Sequence, residues 1–405
     1  MVQKELDHWF RHEYGRVISI FVSKYGAWQI DTIEDSIQNA MYKAMMVWGY
    51  KNIPENPSAW IFRVAQNNLF DQLRKKNREY NIPKIEAERS EDSFCEIKDE
   101  TLHLIFACCH PKLKEQENII LCLKFAAGFG LHEISRTLFI SYEAAKKKFQ
   151  RAKTHFKTFN LSLEIPSNNL LIERLDSVLK VIFLMFTEGY RPTEGEQILK
   201  EDLCYEALRI AMTLYNHENL RQSKLFALIA LMCFKSARIE ARMKSGNDFI
   251  RLRDQDRNLW SKELIEEGKH FLSLAFKKDN HSEYHFHAAV ESQYVIAESF
   301  EKTNWQGLLN IYNYWRKITK NPSLELNRIV VVMHAQGPER ALEELNRNCT
   351  NQKNHLYYAI KGEVLLKLNR NIEAIRCFES AMEISHNKTE MFFMKRKIRE
   401  IQNQI

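Results

Sequence analysis

Ala145, Phe149, Ala152 and Phe156 recur at i, i+4, i+7 and i+11, which sets all four on one side of a helix. Ser141 stands just ahead of that stripe, where its hydroxyl can take up a free amide of the first turn. Upstream, Leu131, Ile134 and Leu138 give a shorter helix one apolar edge, so His132–Phe156 reads as two helices joined by a tight turn. Turning about 100° per residue from Ala145 puts Glu143, Lys147, Gln150 and Arg151 outward, with Lys146, Lys148 and Lys153 on the flanks. An apolar back, a polar front and basic flanks suit a major groove, with flanks on phosphates and front on base edges. The same pattern fits an amphipathic hairpin whose lysines are only solvated.

The remaining chain also reads as helices. Its 405 residues include only 12 Gly and 8 Pro, which leaves few turns. With 45% apolar residues it can fill several cores, and an all-α fold of two to four domains is expected. A net charge of +7 permits nucleic-acid binding without requiring it, because clustering decides. The first ten residues are polar and charged, unlike a secretory signal. The most apolar run, 178–186, contains Lys180 and is too short for a bilayer. Eight cysteines, none spaced C-x-x-C, read as small buried hydrophobes of a reducing cytoplasm.

Near the start, Ile33, Ile37, Ala40, Met41, Ala44 and Trp48 stripe one helix, with Asp31 as its N-cap. Glu34, Asp35, Gln38, Asn39 and Tyr42 lie off the stripe. NIPENPS ends this helix, and Pro57 fits the first turn of the next. There Ile61, Phe62, Ala65, Leu69 and Leu73 form the buried side, while Trp60, Arg63, Asn67, Phe70, Arg74 and Arg78 share the other. Aromatics, arginines and an asparagine on one open face suit unpaired bases and a phosphate backbone. A groove for a partner helix favours the same residue types.

Residues 80–99 are polar and lack an apolar period, as a linker does. The module 100–160 contains the helix-turn-helix, and a second linker, 161–169, leads into a helical extension, 170–405. Within it, Gly337–Asn346 and Arg370–Glu379 stand 33 residues apart with Ala341 and Ala374 aligned. Ala359, Gly362, Leu366, Ala374, Phe378 and Ala381 have the small/large spacing of a tetratricopeptide (TPR) helix pair. Stacked helical hairpins with a concave face follow. Three constellations read as structural. Cys108-Cys109-His110 lacks the usual chelate spacing for zinc, Arg253–Arg257 pairs two acids with flanking arginines, and His281, His285 and His287 make an ordinary polar helix face. No metal or cofactor is expected.

Trp60, Arg63, Asn67, Asp71 and Arg74, followed by a helix-turn-helix ending Arg151-Ala152-Lys153, resemble bacterial sigma factors of the extracytoplasmic-function (ECF) group of the sigma-70 family. IEDSIQNAMYKA, residues 33–44, is similar to the helix that grips the polymerase clamp. DETLHLIFACCHPKL, VIFLMFTEGY, LCYEALRI, RLRDQDRNLW, LNRIVVV and the final TPR unit are similar to the subgroup with a long helical C-terminal extension, so the resemblance runs along nearly the whole chain. Asn39 stands where an acidic residue is usual, Ser135 replaces a frequent alanine, and Phe139 replaces a glycine common in the turn, where a bulky residue disfavours positive φ.

The resemblance implies a non-enzymatic transcription initiation factor. Glu34, Asp35, Gln38, Asn39 and Tyr42 would touch core RNA polymerase. Trp60, Arg63, Asn67, Arg74, Lys75 and Arg78 would read flipped bases of the −10 element in promoter DNA. Ser141, Tyr142, Glu143, Lys146, Lys147, Gln150, Arg151 and Lys153 would meet the −35 element. The extension would regulate the two modules or dock a small cytoplasmic regulatory protein, with no membrane involved. The alternative is a helix-turn-helix regulator with a TPR sensor, not bound to polymerase; it leaves the Trp60–Arg78 face unexplained.

Overall fold

The computed structural model describes residues 2–48, 53–80, 99–159, 161, 168–192, 199–242, 250–277, 281–319, 322–349, 353–385 and 388–403; the side chains of 2–13, 76–80, 100, 168, 322–323 and 388–390 lie outside that description. The fold is all-α, with no strand among the described residues. Two compact units divide it, 1–232 and 233–405. Residues 81–98 of the linker 80–99 and 162–167 of the linker 161–169 fall outside the described residues, whereas Tyr80 ends α3 and Asp99 caps α4.

The first unit contains α1 (Val2–Tyr25), α2 (Ile30–Trp48), α3 (Pro57–Tyr80), α4 (Glu100–Cys108), α5 (Glu115–Phe125), α6 (Leu131–Thr137), α7 (Tyr142–Thr158), α8 (Asn168–Tyr190) and α9 (Glu201–Asn216). Caps set several starts. The Asn56 side chain accepts from the Ala59 amide at 3.0 Å ahead of α3, Asp99 from Leu102 at 2.8 Å ahead of α4, and Ser141 from Ala144 at 3.2 Å ahead of α7. Asp31 is not the cap of α2. A 3₁₀ turn over Ala27–Gln29 runs straight into that helix, leaving Asp31 inside its first turn with its carboxylate turned to lysines of α7.

The predicted stripes are the core. Ile33, Ile37, Ala40 and Ala44 of α2, Ile61, Ala65 and Leu69 of α3, and Ala145, Phe149, Ala152 and Phe156 of α7 are buried. Helix α1 packs on α4 and α5 as well as on α2 and α3. Gly15 makes this approach possible: a Cβ there would stand 2.9 Å from the Phe125 carbonyl oxygen and 3.1 Å from that of Ala126. Helix α8 then covers α4 and α5. It buries Leu175, Val178, Leu179, Val181 and Ile182, and Arg174 donates to the Phe106 carbonyl at 2.8 Å. Lys200 bridges Glu133 of α6 and buried Glu188 of α8 at 2.8 and 3.0 Å. The helix-turn-helix and the first helices of the extension therefore share one core.

The division between units falls within α10 (Ser223–Ser236). The second unit continues with α11 (Ile239–Arg242), α12 (Lys262–Ala275), α13 (Glu283–Ile296), α14 (Trp305–Ile318), α15 (Pro322–Ala335), α16 (Pro338–Asn348), α17 (His355–Lys367), α18 (Asn371–Ile384) and α19 (Lys388–Gln402). Each of α12 to α19 packs on the next. The 33-residue repeat is α15–α16 followed by α17–α18, with Ala341 and Ala374 both fully buried. Gly362 lies under the Phe378 ring, where a Cβ would come within 2.7 Å of a ring carbon. Gly268 lies under Phe234 in the same way, a pairing the sequence did not reveal.

The acidic pair in 253–257 is absorbed by two short turns. Asp254 pairs with Arg251 at 2.6 Å, Asp256 caps the Asn258 amide at 2.9 Å, and Arg257 donates to the Tyr294 and Ala297 carbonyls. The histidines are not a polar face. His285 is fully buried, held by the Ser282 amide at 3.0 Å, and His287 is pushed down to about 4, chiefly by burial and then by Lys235. Cys108, Cys109 and Cys122 are buried together, with Cys109 and Cys122 sulfurs 3.6 Å apart, and burial raises the Cys122 thiol.

Candidate nucleic-acid interface

Helix α3 presents Arg63, Asn67, Arg74 and Lys75 to solvent, and Phe70 is 37% exposed. Trp60 is half-buried, its ring tilted 5.4 Å from that of buried Trp48. Phe70 meets the Tyr25 ring edge-on at 5.9 Å. The face is thus two aromatics anchored at their inner edges, alternating with extended polar side chains. Arg74 and Asp71 stand 3.9 Å apart and are both about three-quarters exposed, too solvated a pair to remove the guanidinium from service. Arg78 lies outside the described side chains.

Helix α7 presents Glu143, Lys146, Lys147, Gln150 and Arg151. Tyr142 stacks on His132 at 4.1 Å, tying the first turn of α7 to α6. Arg151 reaches Glu117 of α5 at 3.5 Å, and His155 reaches the same carboxylate at 3.1 Å. Burial raises the Glu117 carboxyl, but the Lys114 amide, His155 and Arg151 together hold it below its ordinary value. Gln150 and Lys147 on the front, with Lys146 beside them, match the donors a base edge and its phosphates accept.

The turn between α6 and α7 departs from expectation. Phe139 adopts φ 53° despite its bulk, and its side chain is 96% exposed. The Ile140 amide bonds the Ser135 carbonyl at 2.8 Å and the Phe139 amide bonds that of Arg136 at 3.0 Å. These are the two bonds of a Schellman motif, which demands a left-handed residue whatever its side chain.

Two predicted contacts are turned inward. Lys153 is 7% exposed, with Nζ 2.9 Å from Glu34 and 3.0 Å from Asp31; Glu34 is 6% exposed. Lys157 also pairs with Asp31, and Tyr14 donates to Glu34 at 3.2 Å. Burial and the Glu34 charge raise the Tyr14 hydroxyl well above its usual range. In this packing neither Lys153 nor Glu34 faces outward. Their reason is geometric: the 3₁₀ turn at 27–29 seats the start of α2 against the last turns of α7. Of the clamp-like residues, Asp35, Gln38, Asn39 and Tyr42 are exposed. Met45, Met46 and Val47 join them as exposed apolar side chains. Sequence reasoning passed over these three, although they too fall off the α2 stripe.

Among the described residues no group of three or more potential ligands could hold a metal, and no helix is long and apolar enough to cross a membrane. Residues 174–276 match the model of a family of unknown function (DUF6596). An uncharacterized protein of Rhizobium meliloti is 28% identical over 382 residues, which cover 91% of this chain and 90% of that one. Among solved structures, yeast Tom70 aligns over 97% of this chain and 82% of its own at 12% identity, with a TM-score of 0.32. That score is too low to argue a shared fold.

Proposed function

We propose that this chain is a sigma factor of the ECF type, which binds core RNA polymerase and directs it to promoter DNA without catalysing a reaction itself. The observation that carries the reading is a pair of exposed faces on two separately capped helices: Arg63, Asn67 and Arg74 with Trp60 on α3, and Lys147, Gln150 and Arg151 on α7. One suits unpaired bases and the other a major groove. The sigma-like motifs at 60–74 and 133–153 supply the same assignment.

The seam between α2 and α7 adds a condition. Elements at −10 and −35 are about 25 base pairs apart, roughly 85 Å of duplex at ~3.4 Å per pair. Helix α7, with 17 residues, is only about 25 Å long. Lys153 ties α7 to α2, the helix that packs on α3, and this holds both readers in one compact unit, so engagement of both elements calls for this seam to open. Polymerase contact with Asp35, Gln38, Asn39 and Tyr42, on the helix that holds Glu34, is a direct way to bias that opening.

A pull-down with core RNA polymerase, followed by run-off transcription from selected promoter fragments, tests the reading. Retention by core enzyme and promoter-dependent transcripts are expected. Failure to bind core enzyme, with tight binding of a dimer to a palindrome, would instead establish a regulator that uses only α7.

A further inference from the structure

We infer that the second unit carries a binding site for an acidic peptide segment, a pair of neighbouring Asp or Glu side chains held in the cleft between α14, α15 and α16. The cleft is a cavity of about 530 Å³ that opens to solvent. Its wall carries Arg316 and Lys317 from α14, Arg328 from α15, and Arg340 and Arg347 from α16. The cleft borders the core of this unit, in which Leu309 packs with Leu308, Tyr312, Ile329 and Val332.

Two of the carboxylates around the cleft are recessed, while Glu343 is half exposed. Glu325 and Glu344 are 9% exposed each, and both engage Arg328, which is itself 4% exposed. They also reach outward, Glu325 to Arg316 at 3.3 Å and Glu344 to Arg340 at 3.0 Å; Glu343 pairs with Arg340 at 2.8 Å and with Arg347. Five cations thus meet three carboxylates, leaving an excess of two positive charges. The inner acids act as anchors that fix the guanidinium planes. The side chains of Arg316, Arg340 and Arg347 remain 45–62% exposed, so each retains N–H groups for a ligand.

Charge decides what fits. A nucleic-acid backbone gains from a long run of phosphate contacts, for which an excess of only two positive charges is a short footing. Two carboxylates balance the excess. The flanking amides of Asn313, Gln336 and Asn348 both donate and accept, which matches peptide N–H and C=O groups, whereas a phosphate only accepts. Asn348 and Asn313 are already oriented, the first donating to Glu325 at 3.0 Å and the second accepting from Arg328 at 3.3 Å. Leu309 lines the cleft as one apolar contact.

The proposal is independent of any DNA or polymerase binding. Its test is fluorescence anisotropy of the full chain with a labelled hexaglutamate peptide, against hexalysine, tripolyphosphate and a short DNA duplex as competitors. Saturable, salt-sensitive binding of hexaglutamate is expected, weakened at least about tenfold in the Arg316→Gln/Arg347→Gln variant. Both positions are more than half exposed, and an unchanged thermal melt will show that the variant folds. Arg316→Lys, which keeps charge but not the planar fork, should retain part of the affinity. No binding at millimolar peptide overturns the proposal, as does binding that survives the double substitution. Equal displacement by tripolyphosphate or DNA also overturns it, by showing a site for anions in general.

Discussion

Lys153 of α7 and Glu34 of α2 form a buried ion pair, Nζ to Oε2 2.9 Å, across 119 residues of sequence. Removing one partner of such a pair leaves the other charged in a dry site, which costs about 3–5 kcal/mol, while replacing both by neutral groups is far milder. Lys153→Ala is therefore expected to destabilise the first unit by about 3 kcal/mol, and Lys153→Met with Glu34→Gln to recover most of that loss. Urea unfolding followed by tryptophan fluorescence checks this. The double variant also separates two roles. If Lys153 serves the seam, the variant binds −35 DNA as well as the parent or better; weaker binding would assign Lys153 to phosphate contact.

The α3 face predicts a different signature. Arg63 and Asn67 are exposed. Their alanine variants should leave stability within about 0.5 kcal/mol of the parent. Run-off transcription should nevertheless fall at least about tenfold, since each stacked or hydrogen-bonded base is worth roughly 1–3 kcal/mol. On α7, Gln150→Ala should relax discrimination at one base of the −35 element by about the same energy. Normal transcripts from both α3 variants would remove the base-reading assignment.

Much of this was legible from spacing. The stripes of α2, α3 and α7, the Ser141 cap and the Gly362–Phe378 contact each follow from a local period or a local hydrogen bond. What spacing does not encode is which element covers which. Lys153 reads as a flank lysine because its partners lie on another helix far upstream. Gly15 reads as an unremarkable helical glycine until the end of α5 is brought against it. Glu188 lies in the block VIFLMFTEGY and Lys200 in none, and neither sequence marks its partner, yet they join the extension to α6. A cut at residue 160 would strip α8 from α4 and α5, so substitutions within the full chain are the sounder probe of the extension.

The backbone at Phe139 is hidden from spacing for a related reason. Steric preference alone disfavours the left-handed region for a bulky residue, by about 1–2 kcal/mol. The helix end nonetheless imposes it through the amides of Phe139 and Ile140. Phe139→Gly should therefore stabilise the protein by about 1 kcal/mol, seen as a higher denaturation midpoint with unchanged slope. Asn369, at φ 58°, ends α17 with the same two bonds, from Asn369 to Leu366 and from Arg370 to Leu365. Asn tolerates that region, so Asn369→Gly should change stability less than Phe139→Gly. Equal effects at the two positions would rule out strain as the cause.

Glu291 sets the acid limit of the second unit. Although burial raises its carboxyl, Lys235 at 2.6 Å and Arg238 at 2.5 Å bring it down to about 2, from an ordinary 4.5. A carboxyl depressed in the folded state contributes stability that is complete above its unfolded value and lost as pH falls toward its folded one. The window is pH 4.5 to 2, and the contribution at neutral pH is about 3 kcal/mol. His287, lowered to about 4, acts just above that window. The unfolded chain takes up its proton below pH 6.5 while the folded chain resists, so stability already declines from 6.5 toward 4. Hydrogen exchange of α13 as a function of pH should show both steps. Glu291→Gln should abolish the lower step and keep a decline above pH 4, whereas His287→Phe should keep the lower step and flatten the upper. A single unchanged decline in both variants would place the acid sensitivity elsewhere.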